Sequence, residues 1–265
     1  MSKLPRVLIW DVETSPNVGY VWGTWQQNVI RFSRDWHLLS VAWKWLGEKR
    51  TYVMGLDDYE GYVPGDRDDS ALAWLIHDLF DEADVAVTHN GNSFDQPKAR
   101  TRMAVHHLPP HRPFLEVDTL KVARKVFAFT SNTLEDLCRQ LGLEHKGKVG
   151  FPTWLGCMGL DEESNPLPDD EVYAAWRKMK KYNRQDVKIL EELYLTLLPW
   201  MTTHPNMALI ADRPDACPKC GEVGKMISRG RRVNQVTTRE RYQCTVCRSY
   251  VAGRAITKSG VRYVP

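Results

Sequence analysis

At 265 residues, 43% hydrophobic and 26% charged, the chain has the composition of a globular protein with a real core. Its length suits one large domain or a medium domain with a small companion. No apolar run approaches the roughly 20 residues that span a bilayer, and Lys3 and Arg6 lead through a short apolar run into Asp11, which excludes a signal-peptide core and sets the expected location as the cytoplasm, the host's if a phage encodes the chain. The net charge of +3 is unevenly divided: residues 212–265 carry 12 Lys/Arg against 4 Asp/Glu, and the preceding 211 carry 24 against 29. An acidic body with a basic appendage fits a metal site in one part and a polyanion grip in the other, the alternative being a merely solubilising tail.

Residues 6–10 (RVLIW) form an apolar run ending in acid, as a buried central strand does. Residues 39–46 and 51–56 read as strands joined by a turn at 47–50. Helical periodicity marks 71–80, and 85–88 is a short strand followed by the polar loop 89–93. A helix starts at Asp95 and runs towards His106, with Pro97 acceptable in its first turn. Residues 114–117 are a fifth strand, followed by helices over 119–127 and 134–141, the second capped by Ser131 or Asn132. The Gly- and Pro-rich stretch 146–168 reads as a long loop or irregular insertion. Residues 169–199 form the longest helical stretch, with a break expected near Tyr182, and 212–215 is the expected linker. This order of elements gives an α/β fold with a mixed sheet and helices packed on it, divided into a body, 1–211, and a small basic unit, 212–265.

Asp11 and Glu13 lie two apart at a strand's carboxyl end, so both project to one side, where α/β folds tend to place ligands. Alone, such a pair reads by default as surface acids; beside a core strand it is costly unless metal or hydrogen bonds compensate. Asp95, in the segment Asn90-Gly91-Asn92-Ser93-Phe94-Asp95, is equally readable as a helix N-cap. Tyr182 and Asp186 share a helix face, as any solvated i,i+4 pair would.

Taken together, Asp11-Val12-Glu13, Asn90 through Phe94-Asp95, and Tyr182-Asn183-Arg184-Gln185-Asp186 resemble the three motifs of the DEDD superfamily of 3′–5′ exonucleases, in its tyrosine subgroup, over roughly residues 5–200. Lys181 stands where the histidine subgroup would need its histidine. The resemblance implies an RNase H-like mixed five-stranded sheet flanked by helices. It implies two Mg²⁺ or Mn²⁺ held by Asp11, Glu13, Asp95 and Asp186, with Tyr182 orienting the attacking water. It also implies release of nucleoside 5′-monophosphates from 3′ ends, with single-stranded DNA the leading substrate and RNA the enzymatic alternative; any part in proofreading, replication or repair would be in trans. Thr14, Asn90 and Phe94 either contact the terminal nucleotide or shape and pack the loops. Asp118, in a stretch resembling a recurring segment of proofreading members, is read as a helix cap. The competing reading from another class is a catalytically idle nucleic-acid-binding protein.

Cys217, Cys220, Cys244 and Cys247 form C-x2-C pairs with 23 residues between them, a spacing that suits one tetrahedral Zn²⁺ and resembles a zinc ribbon. Disulfides are the rival, disfavoured inside a cell. Residues Thr237–Cys244 have strand character. Arg231 and Arg232, with neighbouring arginines and Tyr242, suit a nucleic-acid strand, and a protein-docking ribbon, for instance to replication or repair proteins, is the alternative. Cys138 reads as a buried apolar residue and Cys157 as a loop residue. Trp10, Trp43, Trp45, Trp74 and Trp176 are assigned to the core, Trp22, Trp25 and Trp154 are left open, and His89 is read as a loop hydrogen-bonder.

Overall fold

A computed structural model describes residues 4–25, 27–144, 149–234 and 236–258; Lys3 and the opening of the 146–168 stretch lie outside the described residues. The chain runs through β1 (Val7–Thr14), β2 (Val18–Tyr20), β3 (Arg31–Arg34), β4 (Leu38–Trp45), β5 (Tyr52–Gly55), α1 (Ser70–Glu82), β6 (Val85–Thr88), α2 (Asp95–Val105), β7 (Leu115–Asp118), α3 (Thr119–Val126) and α4 (Leu134–Leu141). It continues through α5 (Pro152–Cys157), α6 (Asp169–Leu197), α7 (Met207–Ile210), β8 (Met226–Val233), β9 (Thr237–Cys244) and β10 (Tyr250–Lys258).

Five strands form the main sheet in the order β5-β4-β1-β6-β7. β1 pairs antiparallel with β4 and parallel with β6, and β6 pairs parallel with β7, so the sheet is mixed with β1 at its centre. Alternation along β1 divides the core. Leu8, Trp10 and Val12 face one cluster, with Leu72, Ile76 and Phe80 of α1, whereas Val7 and Ile9 face another, with Val85, Val87 and Val122. The two halves of α6 divide likewise: Val172, Trp176 and Met179 join the first cluster, Val187, Leu190, Leu193 and Leu197 the second. Between them lies the stretch holding Tyr182 and Asp186, which therefore passes the sheet where β1 ends. Buried Asp69 ties the fold behind this end by accepting from the Leu38 amide (2.7 Å) and from Arg102 Nε (2.7 Å) and Nη2 (2.6 Å).

Several expectations are corrected. α6 is not broken near Tyr182: it is helical from Asp169 to Leu197. Asn183, next to Tyr182, is fully buried there. α4 is capped by Thr133, not Ser131 or Asn132; Thr133 Oγ1 accepts from the Asp136 amide at 3.2 Å. The 146–168 stretch contains α5, which Pro152 opens with its fixed φ, and this puts Cys157 in the core rather than in a loop. Trp74 lies on the solvent side of α1 and is 48% exposed, while Trp10, Trp45 and Trp176 are buried and Trp43 is partly buried. No sequence pattern marks the β2–β3 ribbon, β10 or α7, whereas β8 and β9 form a β-hairpin between the cysteine pairs, which the length of that gap allows.

Residues 212–215 sit in a hydrogen-bonded turn: the Ala211 amide donates to Met207 O (3.0 Å), the Arg213 amide to Ala208 O (2.8 Å) and the Ala216 amide to Arg213 O (3.0 Å). Beyond it, β10-β9-β8 form an antiparallel sheet. The Met207 amide donates to Pro218 O (2.9 Å), and Met207, Cys220 and Cys247 join the core cluster of Leu193, Tyr194 and Leu197, so the cysteine end of this unit rests on the end of α6.

Candidate metal centres

β1 delivers its acids from a strand paired on both sides. Asp11 lies opposite Ala42 and Glu13 opposite Ser40, and the register slips between Glu13 and Thr14, where the strand leaves the sheet. Asp186 arrives from α6. Asp11, Glu13 and Asp186 can each offer an oxygen such that all lie within 4.8 Å of one another. Three carboxylates this close repel one another strongly unless a cation or proton intervenes, and hard oxygen donors are what Mg²⁺ and Mn²⁺ take. The donor set fits such ions.

Two residues unassigned from sequence hold the set in place. Asn183 lies between Tyr182 and Asp186; its Nδ2 donates to Asp11 Oδ2 at 2.7 Å, while its Oδ1 accepts from Ser40 Oγ at 3.0 Å. Trp154 of α5 donates from Nε1 to Glu13 Oε2 at 3.1 Å and packs edge-on against Tyr182, ring centroids 5.9 Å apart. The phenol and the indole thus share one wall beside Glu13. No local signal marks either partner: Trp154 meets Glu13 across 141 residues and Asn183 meets Asp11 across 172.

Asp95 does not join the three-carboxylate cluster. It is buried, and its Oδ1 accepts the amide of Val12, the residue between Asp11 and Glu13, at 3.2 Å. Burial pushes its carboxyl up to about 7, against the pull of the Val12 and own-backbone N–H groups and with some help from Asp118. Asp118 is the cap expected: its Oδ1 accepts the amides of Leu120 (3.0 Å), Lys121 (3.3 Å) and Asn90 (3.0 Å). The bond to Asn90 anchors the 89–94 loop. Asn90 has φ 71°, and its carbonyl accepts from Ser93 and Phe94. A Cβ on Gly91 would fall 2.2 Å from Thr88 Oγ1, so this loop needs glycine for close approach. His89 bonds Thr119 Oγ1 (2.9 Å) and the Asn132 carbonyl (3.0 Å), the loop role expected. Phe94 is 41% exposed, with Lys98 Nζ 5.6 Å from its ring centroid. Thr14 lines an open groove of about 450 Å³ together with Ser15, Asn17, Trp36, Lys98, Phe151 and Trp154.

In the C-terminal unit one thiolate-capable sulfur from each of Cys217, Cys220, Cys244 and Cys247 lies within 4.8 Å of the others. Cys217 and Cys247 sulfurs are 3.7 Å apart, as are those of Cys220 and Cys244. That is far from a disulfide bond of about 2.05 Å and close to the edge of a tetrahedron with Zn–S near 2.3 Å. Tight turns present them: Gly221 has φ 77° and its amide donates to Cys217 O (2.9 Å), and the Lys219 amide points at Cys217 Sγ (3.4 Å). Against this site, Tyr194 O–H donates to His204 Nε2 at 2.8 Å, since His204 Nδ1 gives its proton to Pro205 O at 2.7 Å. Arg231 and Arg232 are exposed on β8, opposite Glu240 and Arg239 of β9.

No helix among the described residues is long and apolar enough to cross a membrane. A family model described as RNase_H superfamily matches residues 48–151, a segment that includes Asp95 and Trp74 but neither end of the carboxylate cluster. No curated protein matches the chain. Among the solved structures that match is the family B DNA polymerase of the hyperthermophilic archaeon Pyrobaculum calidifontis, at 17% identity and a TM-score of 0.47, over 88% of this chain and 31% of that one; the chain thus spans less than a third of the polymerase's length. The mixed five-stranded sheet with its flanking helices is an RNase H-like fold.

Proposed function

We propose that the protein is a metal-dependent 3′–5′ exonuclease that removes nucleoside 5′-monophosphates from nucleic acid by a two-metal-ion mechanism, with single-stranded DNA the leading substrate, and that its four cysteines hold one structural Zn²⁺. The observation that carries the reading is the convergence of Asp11, Glu13 and Asp186 to within 4.8 Å at the end of the central strand of an RNase H-like sheet.

Asp11, Glu13 and Asp186 would hold two Mg²⁺ or Mn²⁺ ions, and Asp95, bonded through Oδ1 to the Val12 amide between Asp11 and Glu13, is the fourth carboxylate of the set. When bound, such ions supply a nucleophile near neutral pH and stabilise charge on the phosphoryl and departing 3′ oxygens. Asn183 keeps Asp11 turned inwards, and Trp154 does the same for Glu13. Tyr182, one helical turn before Asp186, orients the attacking water from the wall it shares with Trp154. Thr14 and the groove beside it receive the terminal nucleotide. Arg231 and Arg232 hold the strand's phosphates from the basic sheet.

End-labelled single- and double-stranded DNA and RNA, incubated with Mg²⁺ or Mn²⁺ and resolved by length, test this. The expected ladder shortens stepwise from the 3′ end and releases mononucleotides, faster on single-stranded DNA than on RNA. Internal cuts, shortening from the 5′ end, or intact substrate in both metals would overturn it.

A further inference from the structure

The β2–β3 ribbon stands out because its large side chains have no core to face. Trp22 is 89% exposed, Trp25 83%, Tyr20 64% and Phe32 50%, and every residue of β3 is exposed. An isolated two-stranded ribbon is marginal in water, and a cluster of exposed aromatics signals a binding surface more often than an accident. Its backbone is nevertheless well defined. Gly19 pairs with Phe32, a Cβ on Gly19 would meet Val29 Cγ1 at 2.5 Å, and the Ile30 amide donates to Tyr20 O at 2.8 Å.

The root of the ribbon is the mouth of the groove beside the carboxylates. Residues 15–17 alone separate Thr14 from β2. Asn17 Oδ1 accepts the Trp36 amide at 2.9 Å, and the Ser15 amide donates to His37 O at 2.9 Å, so both legs are stitched at the groove's lip. Trp36 forms part of that lip, with Lys98 Nζ 3.6 Å from its ring centroid. The ribbon itself carries Arg31 and Arg34, both exposed, and Asp35 is the one acid in the sequence from residue 15 to 36. Flat rings interleaved with cations, leading out of a groove beside a metal-binding carboxylate set, match the demands of a single strand: bases stack on aromatic faces, and phosphates take the charge. A protein-docking patch would need neither the arginines nor continuity with the groove.

We infer that the β2–β3 ribbon is a grip for unpaired nucleic acid, stacking bases on Trp22 and Trp25 and pairing phosphates with Arg31 and Arg34 as the strand leaves the carboxylate groove. This extends the nuclease reading and rests on it for the direction of the strand, but its test needs no cleavage.

Full-length protein carrying Asp11→Asn, without added Mg²⁺ or Mn²⁺, is titrated into a fluorescent twelve-nucleotide oligothymidine and followed by anisotropy. Trp22→Ala/Trp25→Ala should weaken binding about tenfold or more, as expected when base stacking is lost. Arg31→Ala/Arg34→Ala should lower the slope of log affinity against log salt by about 1.4, the loss of two phosphate contacts on a single strand. Trp74→Ala, an exposed tryptophan on α1, should change neither. Thermal unfolding of the ribbon variants should match the parent, since the replaced rings are exposed. Binding unchanged by the Trp22/Trp25 pair overturns the inference, as does failure of the parent to bind the oligonucleotide while sedimenting as a dimer that the same pair dissociates. If the oligonucleotide binds through the ribbon but the protein with Asp11 intact degrades no substrate in Mg²⁺ or Mn²⁺, the exonuclease reading falls and the grip stands.

Discussion

The RNase H-like body and the cysteine unit both gather ligand atoms around a point where a cation fits, and they do so by opposite means. In the body the acids are placed by elements that are already stable: β1 is hydrogen-bonded on both sides and packed on both faces, and α6 is anchored in both core clusters. The carboxylates are a burden on that scaffold, because they repel and Asp95 is desolvated. In the cysteine unit almost nothing else is buried. From residue 212 on, the buried apolar side chains among the described residues are Ala216, Cys217 and Cys244, two of them candidate ligands, and β8 is exposed nearly throughout. One site is carried by its fold, and with the Zn²⁺ proposed above the other would carry its fold.

The sharpest way to break this contrast is to withdraw the metals. Chelation of Zn²⁺, or Cys244→Ser, should unfold residues 216–258 while the body stays folded, because zinc in a small unit contributes on the order of 10 kcal/mol or more of apparent free energy. Amide exchange resolved by segment would show β8–β10 losing protection with β1 and β6 unchanged; full protection in zinc-free protein would show that the unit stands without metal. Next in size, Asp11→Asn or Asp186→Asn should abolish exonucleolytic turnover, by a factor of about 10³ or more, with no loss of thermal stability and a small gain where repulsion is relieved. Tyr182→Phe should lower kcat by roughly 10- to 100-fold, leaving metal affinity unaltered. A drop in melting temperature of either aspartate variant would mean that the acids stabilise the body rather than strain it.

A subtler comparison uses acid. His37, in the body, and His204, at the seam with the cysteines, are each held down to about 4 by burial. Both fold in the neutral form, whereas the unfolded chain takes up their protons below about 6.5. Stability should therefore be full above pH 6.5 and fall as pH drops towards 4, by on the order of 3 kcal/mol for each as an upper bound. Asp95 acts oppositely, its raised carboxyl favouring the folded state as pH falls below about 7. Denaturant midpoints across this range should fall less steeply in His37→Gln and more steeply in Asp95→Asn. Equal slopes in parent and variants would remove both groups from the account. The smallest expected effect is in the basic sheet: Arg231→Ala/Arg232→Ala should weaken oligonucleotide binding a few-fold and make its salt dependence shallower by about two contacts. An unchanged slope would assign β8 to another partner.

The legible parts of the sequence were those whose burial is periodic. β1, β4 and β6 emerge as short apolar runs because a core lies against them, α1 from its 3.6-residue pattern, and α2 from its start at Asp95 with Pro97 in the first turn. The acids announced themselves through an apolar strand running into Asp11 and a four-residue step from Tyr182 to Asp186. What failed was local inference where a distant partner decides. A break is expected near Tyr182, yet α6 runs straight through it, with Asn183 satisfied by Ser40 and Asp11 across the sheet. Trp154 had no assignable role until α5 laid it against Glu13 and Tyr182. The β2–β3 ribbon was invisible because it buries neither face, so no alternation is written into it.

α6 has one more consequence. It is an unbroken rod of 29 residues, with Tyr182 and Asp186 near its middle and Tyr194 against the cysteine seam. At 1.5 Å per residue, Tyr182 and Tyr194 are about 18 Å apart along its axis. On the exonuclease reading proposed above, an unbroken helix of that length would fix the spacing between the carboxylates and the cysteine seam by geometry instead of by a tether, and a substrate strand shorter than that span would reach one but not the other.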